Sequence, residues 1–319
     1  MSYAHRTVIG LLATLMAHGE VAAQSQDYPN RPIRIVASGA GSGGDIAARL
    51  LAQGMSGPLG QQMIVDNRGG IIAGLTVVKA PPDGHMLLLQ SGTLWVGPLL
   101  QSTPFDVIKD FAPISLITSE PNVLVVHPSL PAKTVKDLIA LAKARPGELD
   151  YASGATGSSN HLAGELFKAM AGVNIVRISY KGIGLAMNDL LGGQVHMSFG
   201  TVGAVAAHIK SGRVRGMAVT SAKPSALLPE LPTAAATGLP GYESGSAYGL
   251  FAPARTPDAI IARLNQEIVR LIAQPDLRKK FLAGGSEPVG SSPEELASTI
   301  RSEIAKWSKL IKDAGIRAE

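Results

Sequence analysis

Two short stretches in this chain have the composition to hold an anion without reacting with it. The first is Gly39-Ala40-Gly41-Ser42-Gly43-Gly44, followed by Asp45. The second is Ser153-Gly154-Ala155-Thr156-Gly157-Ser158-Ser159-Asn160-His161. Each is rich in glycine and hydroxyl residues, follows an aliphatic strand and runs into a helix. Glycines let a ligand approach backbone N–H groups, and the start of a helix carries roughly half a positive charge. Two such cradles opposed across a cleft would hold a dianion, or both ends of a diacid, by hydrogen bonds alone. Asp45 would repel an anion placed beside it, so it either caps the helix or tethers the loop. His161 is either a helix-start packing residue or a ligand contact.

The first stretch also fits the G-x-G-x-x-G dinucleotide fingerprint, with Asp66 near the position of a ribose-binding acid. An NAD-type oxidoreductase using Gly39 to Gly44 is therefore the alternative to a binding protein. No catalytic partner accompanies the loop. The sequence has no G-x-S-x-G elbow, no H-E-x-x-H and no P-loop, and its histidines lack metal-ligand spacing. No catalytic residue, metal or cofactor is expected. Two further loops follow strands. In Ser91-Gly92-Thr93-Leu94-Trp95 the indole is either a cleft wall, the reading favoured here, or a core anchor. In Tyr180-Lys181-Gly182 the lysine is either a ligand-facing cation or a solvated loop charge.

Short strands alternating with helices must position these loops. Strands are expected at 33–36, 63–65, 87–89, 123–126, 149–152, 173–178, 195–199, 217–219 and 248–252. Between them, helices are expected at 46–55, 134–145, 160–171, 185–191 and 204–211. That alternation predicts an α/β fold with parallel sheets and βαβ units. Behind Pro257-Asp258 and Ser292-Pro293, apolar residues at helical spacing predict two amphipathic helices. With 319 residues, two domains are the prior.

Composition narrows the setting. Hydrophobic residues are 45% and charged residues 17%, a globular balance, and cysteine is absent, which fits an oxidising compartment. The net charge of +5 comes from scattered Lys and Arg, with no aromatic platform, so nucleic acid is not an expected partner. At the N-terminus His5-Arg6 precedes an apolar run from Val8 to Ala17 and the small-residue site Val21-Ala22-Ala23. This reads as a secretory signal over 1–23. Its apolar run is shorter than the roughly twenty residues that span a bilayer.

Taken in order, the segments resemble the substrate-binding proteins of tripartite tricarboxylate transporters, also called Bug receptors. The likeness rests on YPNRPIRIV at 28–36, DNRGG at 66–70, KDFAPI at 109–114, PNVLVV at 121–126 and YASGATGSSNHLAGELFK at 151–168. It continues through YKG at 180–182, DLLGGQV at 189–195, AVTSAKPSALLPELPT at 218–233, GLPGYE at 238–243 and EPVGSSPEE at 287–295. The resemblance implies a two-lobed periplasmic-binding-protein fold of type II character, each lobe a mainly parallel sheet flanked by helices, with the ligand cleft between lobes. It implies one lobe from 24–124 plus 234–319 and another from 125–233. By position it places the ligand loops at Ser38 to Gly44, Ser91 to Trp95, Ser153 to His161, Tyr180 to Gly182 and Phe199 to Thr201. The expected contacts are Ser38, Gly41, Ser42, Gly43, Asp45, Ser91, Thr93, Trp95, Ser153, Thr156, Gly157, Ser158, Ser159, His161, Tyr180, Lys181, Gly182 and Thr201. The ligand implied is a small di- or tricarboxylate or aromatic acid, delivered by a periplasmic, monomeric receptor to a membrane permease, or read by a sensor protein. Gly200 and His196 stand where relatives commonly carry acids, which should make the cleft more accommodating to anions.

Overall fold

The structure is a computed structural model that describes residues 28–316 apart from 40, 41, 69, 155, 181 and 182. The expected signal segment, and the candidate contacts Gly41, Lys181 and Gly182, lie outside the described residues.

Strand β1 (Ile33–Ala37) is aliphatic but for the exposed Arg34, as suits a strand sandwiched between helices. It lies parallel to β2 (Met63–Asn67) on one side and to β3 (Met86–Ser91) on the other. Helix α1 (Gly43–Leu59) connects β1 to β2, and α2 (Gly70–Val78) connects β2 to β3. After the short α3 (Thr93–Val96), β4 (Phe111–Val126) runs through the whole molecule. Its first part, to Pro121, pairs antiparallel with β9 (Gly245–Pro253), which also pairs with β3. Its last part, from Asn122, pairs antiparallel with β7 (Met197–Thr201) and β8 (Arg215–Val219).

The second half then repeats the first. Following α4 (Val135–Ala144), β5 (Asp150–Ser153) is parallel to β6 (Val176–Ser179) and to β7. Helix α5 (Ser159–Ala171) joins β5 to β6, α6 (Ile183–Leu191) joins β6 to β7, and α7 (Val202–Lys210) follows β7. The order β2-β1-β3 in one sheet thus matches β6-β5-β7 in the other, joined through β9 and β4. The sheets are mixed: the parallel triplets are as expected, while the strands that connect them are antiparallel. No sequence repeat announces this; the same supersecondary unit is built twice from different residues.

After the four-residue α8 (Ala234–Thr237) and β9 come α9 (Asp258–Ile272) and α10 (Pro275–Ala283). They lead to the two-residue β10 (Glu287–Pro288) on β4 and to α11 (Pro293–Ala314). Ser292 accepts from the Glu295 amide and the Glu295 carboxylate accepts from Ser292 N–H, a reciprocal cap that fixes where α11 begins. One apolar cluster, with Trp95, Phe251, Leu124, Phe167, Phe199, Leu296 and Trp307, runs under both sheets. A second packs α1 and α9 on the first sheet, and a third packs α6 and α7 on the other. Helix α11 lies along β4 and also meets α3 and α5.

The chain passes between sheets at buried polar residues. Thr220 Oγ1 accepts from Asn122 N–H at 2.8 Å and lies 2.6 Å from the Ser244 carbonyl. Ser244 N–H in turn donates to the Thr220 carbonyl. All three residues are buried, so the crossing strands are tied together at one place.

Candidate functional site

Each candidate loop leaves the carboxyl end of a parallel strand: Ser38 after β1, Ser91 at the end of β3, Ser153 at the end of β5, Tyr180 after β6 and Thr201 at the end of β7. In open α/β sheets that is the edge where ligands bind. The matched topology makes the β1–α1 loop and the β5–α5 loop equivalent positions in the two halves, with Ser42 and Ser158 as the two N-cap residues.

The first loop is held from both flanks. Ser38 Oγ donates to Gln90 Oε1 at 2.9 Å, and Asn67 Nδ2 donates to the Ser38 carbonyl at 2.7 Å. Ser42 Oγ accepts from Asp45 N–H at 3.2 Å, capping α1 directly ahead of Gly43. Asp45 is buried, with Oδ1 2.9 Å from Arg49 Nε and accepting from Asn67 Nδ2 at 2.8 Å. Its charge is matched by Arg49, and through Asn67 it tethers the loop. Gln90, which sequence reasoning missed, also accepts from Ser91 N–H and so couples this loop to the next. Ser91 Oγ and Thr93 Oγ1 lie 2.8 Å apart at the surface.

Trp95 is corrected as well. The turn of α3 points the indole inward, where it is 2% exposed and packs 6.2 Å from Phe251 by ring centroids. It is a core anchor, not a cleft wall. Its Nε1–H is buried without a partner among the described residues.

The loop after β5 is organised by a residue the sequence did not single out. Arg177, on β6, donates from Nε to Ser153 Oγ at 2.8 Å, from Nη1 to Thr156 Oγ1 at 3.0 Å and from Nη2 to the Gly154 carbonyl and Ser179 Oγ, both at 3.0 Å. Ser153 is fully buried under this guanidinium and acts as its partner. At the far end, Asn160 Oδ1 accepts from Gly154 N–H and from Ser158 Oγ, and the buried His161 Nδ1 accepts from Gly157 N–H at 3.0 Å. Of the two roles open for His161, the structure shows the structural one. Gly157 takes a left-handed φ of 83°, and a Cβ there would lie 2.8 Å from Leu100 Cδ1 on the other half of the molecule. The loop therefore reaches across to the first sheet's side. Ser159 and Thr156 are half-buried.

Neither Ser158 nor Thr201 caps its helix with its side chain. The first-turn N–H groups of α5 and α7 are the kind of donors that an anion satisfies. Tyr180 is half-buried, and its hydroxyl donates to Asp189 Oδ2 at 2.7 Å. Burial, helped by that carboxylate, pushes the phenol up to about 12.

The two departures from relatives take on new meanings. Gly200 is buried, and a Cβ there would lie 2.4 Å from Val205 Cγ1, so α7 packs where a side chain would stand. His196 precedes β7, at the strand end opposite the loops, with Nδ1 2.9 Å from Asp150 Oδ1. The expectation that it tunes the cleft is corrected. Asp66, the would-be ribose acid, is paired with Arg34 and Arg68. Among the described residues no group of His, Asp, Glu or Cys could hold a metal ion, and no helix is long and apolar enough to cross a membrane.

Two matched α/β units, each with glycine- and hydroxyl-rich loops at the carboxyl ends of its parallel strands, make up the fold. The family model for tripartite tricarboxylate transporter family receptors matches residues 47–316, and the chain belongs to that family. BugT of Bordetella pertussis is 37% identical, with 97% of each chain covered. The solved structure of R. palustris Rpa4515 with adipate superposes with a TM-score of 0.79 at 37% identity, covering 92% of this chain and all of that one. MatC (Rpa3494) of Rhodopseudomonas palustris with bound malate gives a TM-score of 0.73 at 28% identity, covering 89% of this chain and all of that one. Members of this family are solute-binding receptors and not enzymes, so the dinucleotide alternative falls.

Proposed function

We propose that this protein is a periplasmic receptor that captures a small carboxylate between two lobes and hands it to a membrane permease. The lobes would be 24–124 plus 234–319 and 125–233, with residues 1–23 removed on export. The observation that carries the reading is the pair of equivalent strand–loop–helix cradles, one from each half, braced from behind by Gln90 and by Arg177. The braces keep donors in place before the ligand arrives, which lowers the ordering cost of binding. The adipate and malate found in relatives support a carboxylate ligand.

The contacts proposed are the loop donors among Ser38 to Gly43, Ser91, Thr93, Thr156 to Ser159, the start of α7 at Thr201, and the 180–182 segment. A thermal-shift screen of mono-, di- and tricarboxylates and aromatic acids tests this, because a ligand at a hundred times its Kd stabilises by about 2.7 kcal/mol. A screen in which no acid raises the melting temperature overturns the proposal. Delivery is tested separately, by co-purification with a tripartite permease.

A further inference from the structure

Glu120 occupies the last position of β4 but one before that strand leaves the first sheet for the second. Its carboxyl lies beneath the first turn of α1: a Cβ on Gly43 would sit 2.7 Å from Glu120 Oε1 and 3.3 Å from Tyr248 Oη. Gly43 is thus needed for this close approach. Ser286, in the loop after α10, donates to the same Oε1. That loop also touches the second half, because a Cβ on Gly285 would lie 3.5 Å from Gly203 N in the first turn of α7. The carboxyl therefore stands at the crossing between the halves, beside an anion cradle and close to another helix start.

No cation offsets it among the described residues. The groups facing it are Tyr248 from β9, whose phenol burial, helped by the Glu120 charge, pushes up to about 12, and Ser286. Asp45, within the first turn of α1, is committed to Arg49 and Asn67. Glu287 on β10 turns to Ser225 and Ala226, and the start of α7 presents the Gly203 backbone. Burial raises the Glu120 carboxyl above the ordinary carboxylate range, with the Ser286 bond opposing. An ionised Glu120 would itself be the anion at the start of α1. A ligand carboxylate held by first-turn N–H groups of α1 would face that like charge in a poorly solvated corner.

Building on the receptor reading above, we propose that Glu120 is a specificity-determining acid of the cleft, which carries a proton whenever a carboxylate ligand occupies the α1 cradle. Binding then takes up a proton, and the site favours acids over ligands that offer an ammonium group at that end. Once the pH exceeds the carboxyl's own titration in the free protein, affinity falls by about tenfold per pH unit.

The test is isothermal titration of the full mature chain with adipate, from pH 5.5 to 8.5, in phosphate and in Tris. Wild type and Glu120→Gln are compared, with thermal melts to show that the variant is folded. The expected result is up to one proton taken up by wild type, with weakening affinity as pH rises, and a flat profile in Glu120→Gln. The proton uptake is read on wild type alone, so it does not depend on the variant folding. Adipate bound with no proton uptake and a flat wild-type profile overturns this inference and leaves the receptor reading standing. So does affinity that rises with pH, or a Glu120→Gln variant that is weak at every pH. If no carboxylate of the screen binds at all, both proposals are overturned.

Discussion

Replacing Arg177 by Met separates a pre-built cradle from a loop that merely happens to be ordered. The substitution keeps most of the aliphatic stem and removes the guanidinium that donates to Ser153 Oγ, the Gly154 carbonyl and Thr156 Oγ1. A hydrogen bond from a charged group contributes about 1.5–3 kcal/mol. Three of them do not add in full, because they share one group and Arg177 is only half-buried. A net loss of about 2 kcal/mol is the working figure.

Where that loss shows depends on what the loop does without its brace. If residues 153–158 loosen in the free protein, the ligand must order them on binding, and affinity for adipate drops by roughly thirtyfold. Melting of the free protein then shifts by only a degree or two. If the loop instead stays folded through Asn160 and His161, the loss appears as a lower melting temperature with Kd unchanged. Calorimetric titration and a melt on the same sample distinguish the two. A thirtyfold weaker Kd is the expected outcome. An unchanged Kd with lowered melting temperature would refute preorganisation by Arg177.

Ser158→Ala is expected to weaken carboxylate binding about tenfold with little change in stability, since Ser158 Oγ does not cap α5. Ser42→Ala removes a cap, so it should also cost about 1 kcal/mol of stability, seen as a lower urea midpoint. Trp95→Phe should destabilise by on the order of 1 kcal/mol while leaving the Kd for adipate unchanged, because the indole is buried among Phe251 and its neighbours. A changed Kd would return Trp95 to the cleft. For Glu120 the sign follows from a folded-state pKa above the unfolded value of about 4.3. Its favourable contribution is complete below that pH and is lost as pH rises through the folded pKa. Glu120→Gln should therefore gain stability relative to wild type on going from pH 4 to pH 8; a constant difference in urea unfolding would contradict this.

Local signals in the sequence were legible wherever a few neighbouring residues decide the outcome. Thr134 with Asp137 forms the reciprocal cap its spacing suggests, and the helix expected behind Ser292-Pro293 begins there. Helix α2 was not legible, because Gly70-Ile71-Ile72-Ala73-Gly74-Leu75-Thr76-Val77-Val78 is apolar but for Thr76 and lacks a helical stripe. The first part of β4 was hidden by Pro113 and Pro121, which argue against a strand. The structure accommodates them beside a bulge at Pro113 and at the end of the β9 pairing. Arg177 was invisible for another reason: its partners lie on a neighbouring strand, and only the β5–β6 register, Tyr151 opposite Arg177, brings them together.

The same distinction separates what a loop's composition says of its backbone from what it says of its side chains. Glycine and hydroxyl composition marks a backbone that a ligand can approach, and that property is local. Whether a given side chain faces the cleft or braces the loop depends on what stands behind it. Asp45, Ser153, His161 and Trp95 have ligand-like chemistry, yet each is turned to Arg49, Arg177, Gly157 or Phe251. With those side chains committed to structure and the Ser158 hydroxyl donated to Asn160, the proposed donors for a solute are mainly N–H groups at helix starts and the Ser91–Thr93 hydroxyl pair. On the proposed reading, such a site would hold a carboxylate head with no counter-charge among the described residues. Discrimination must then come from what lies near the heads, and Glu120 at the crossing strand is placed to supply it.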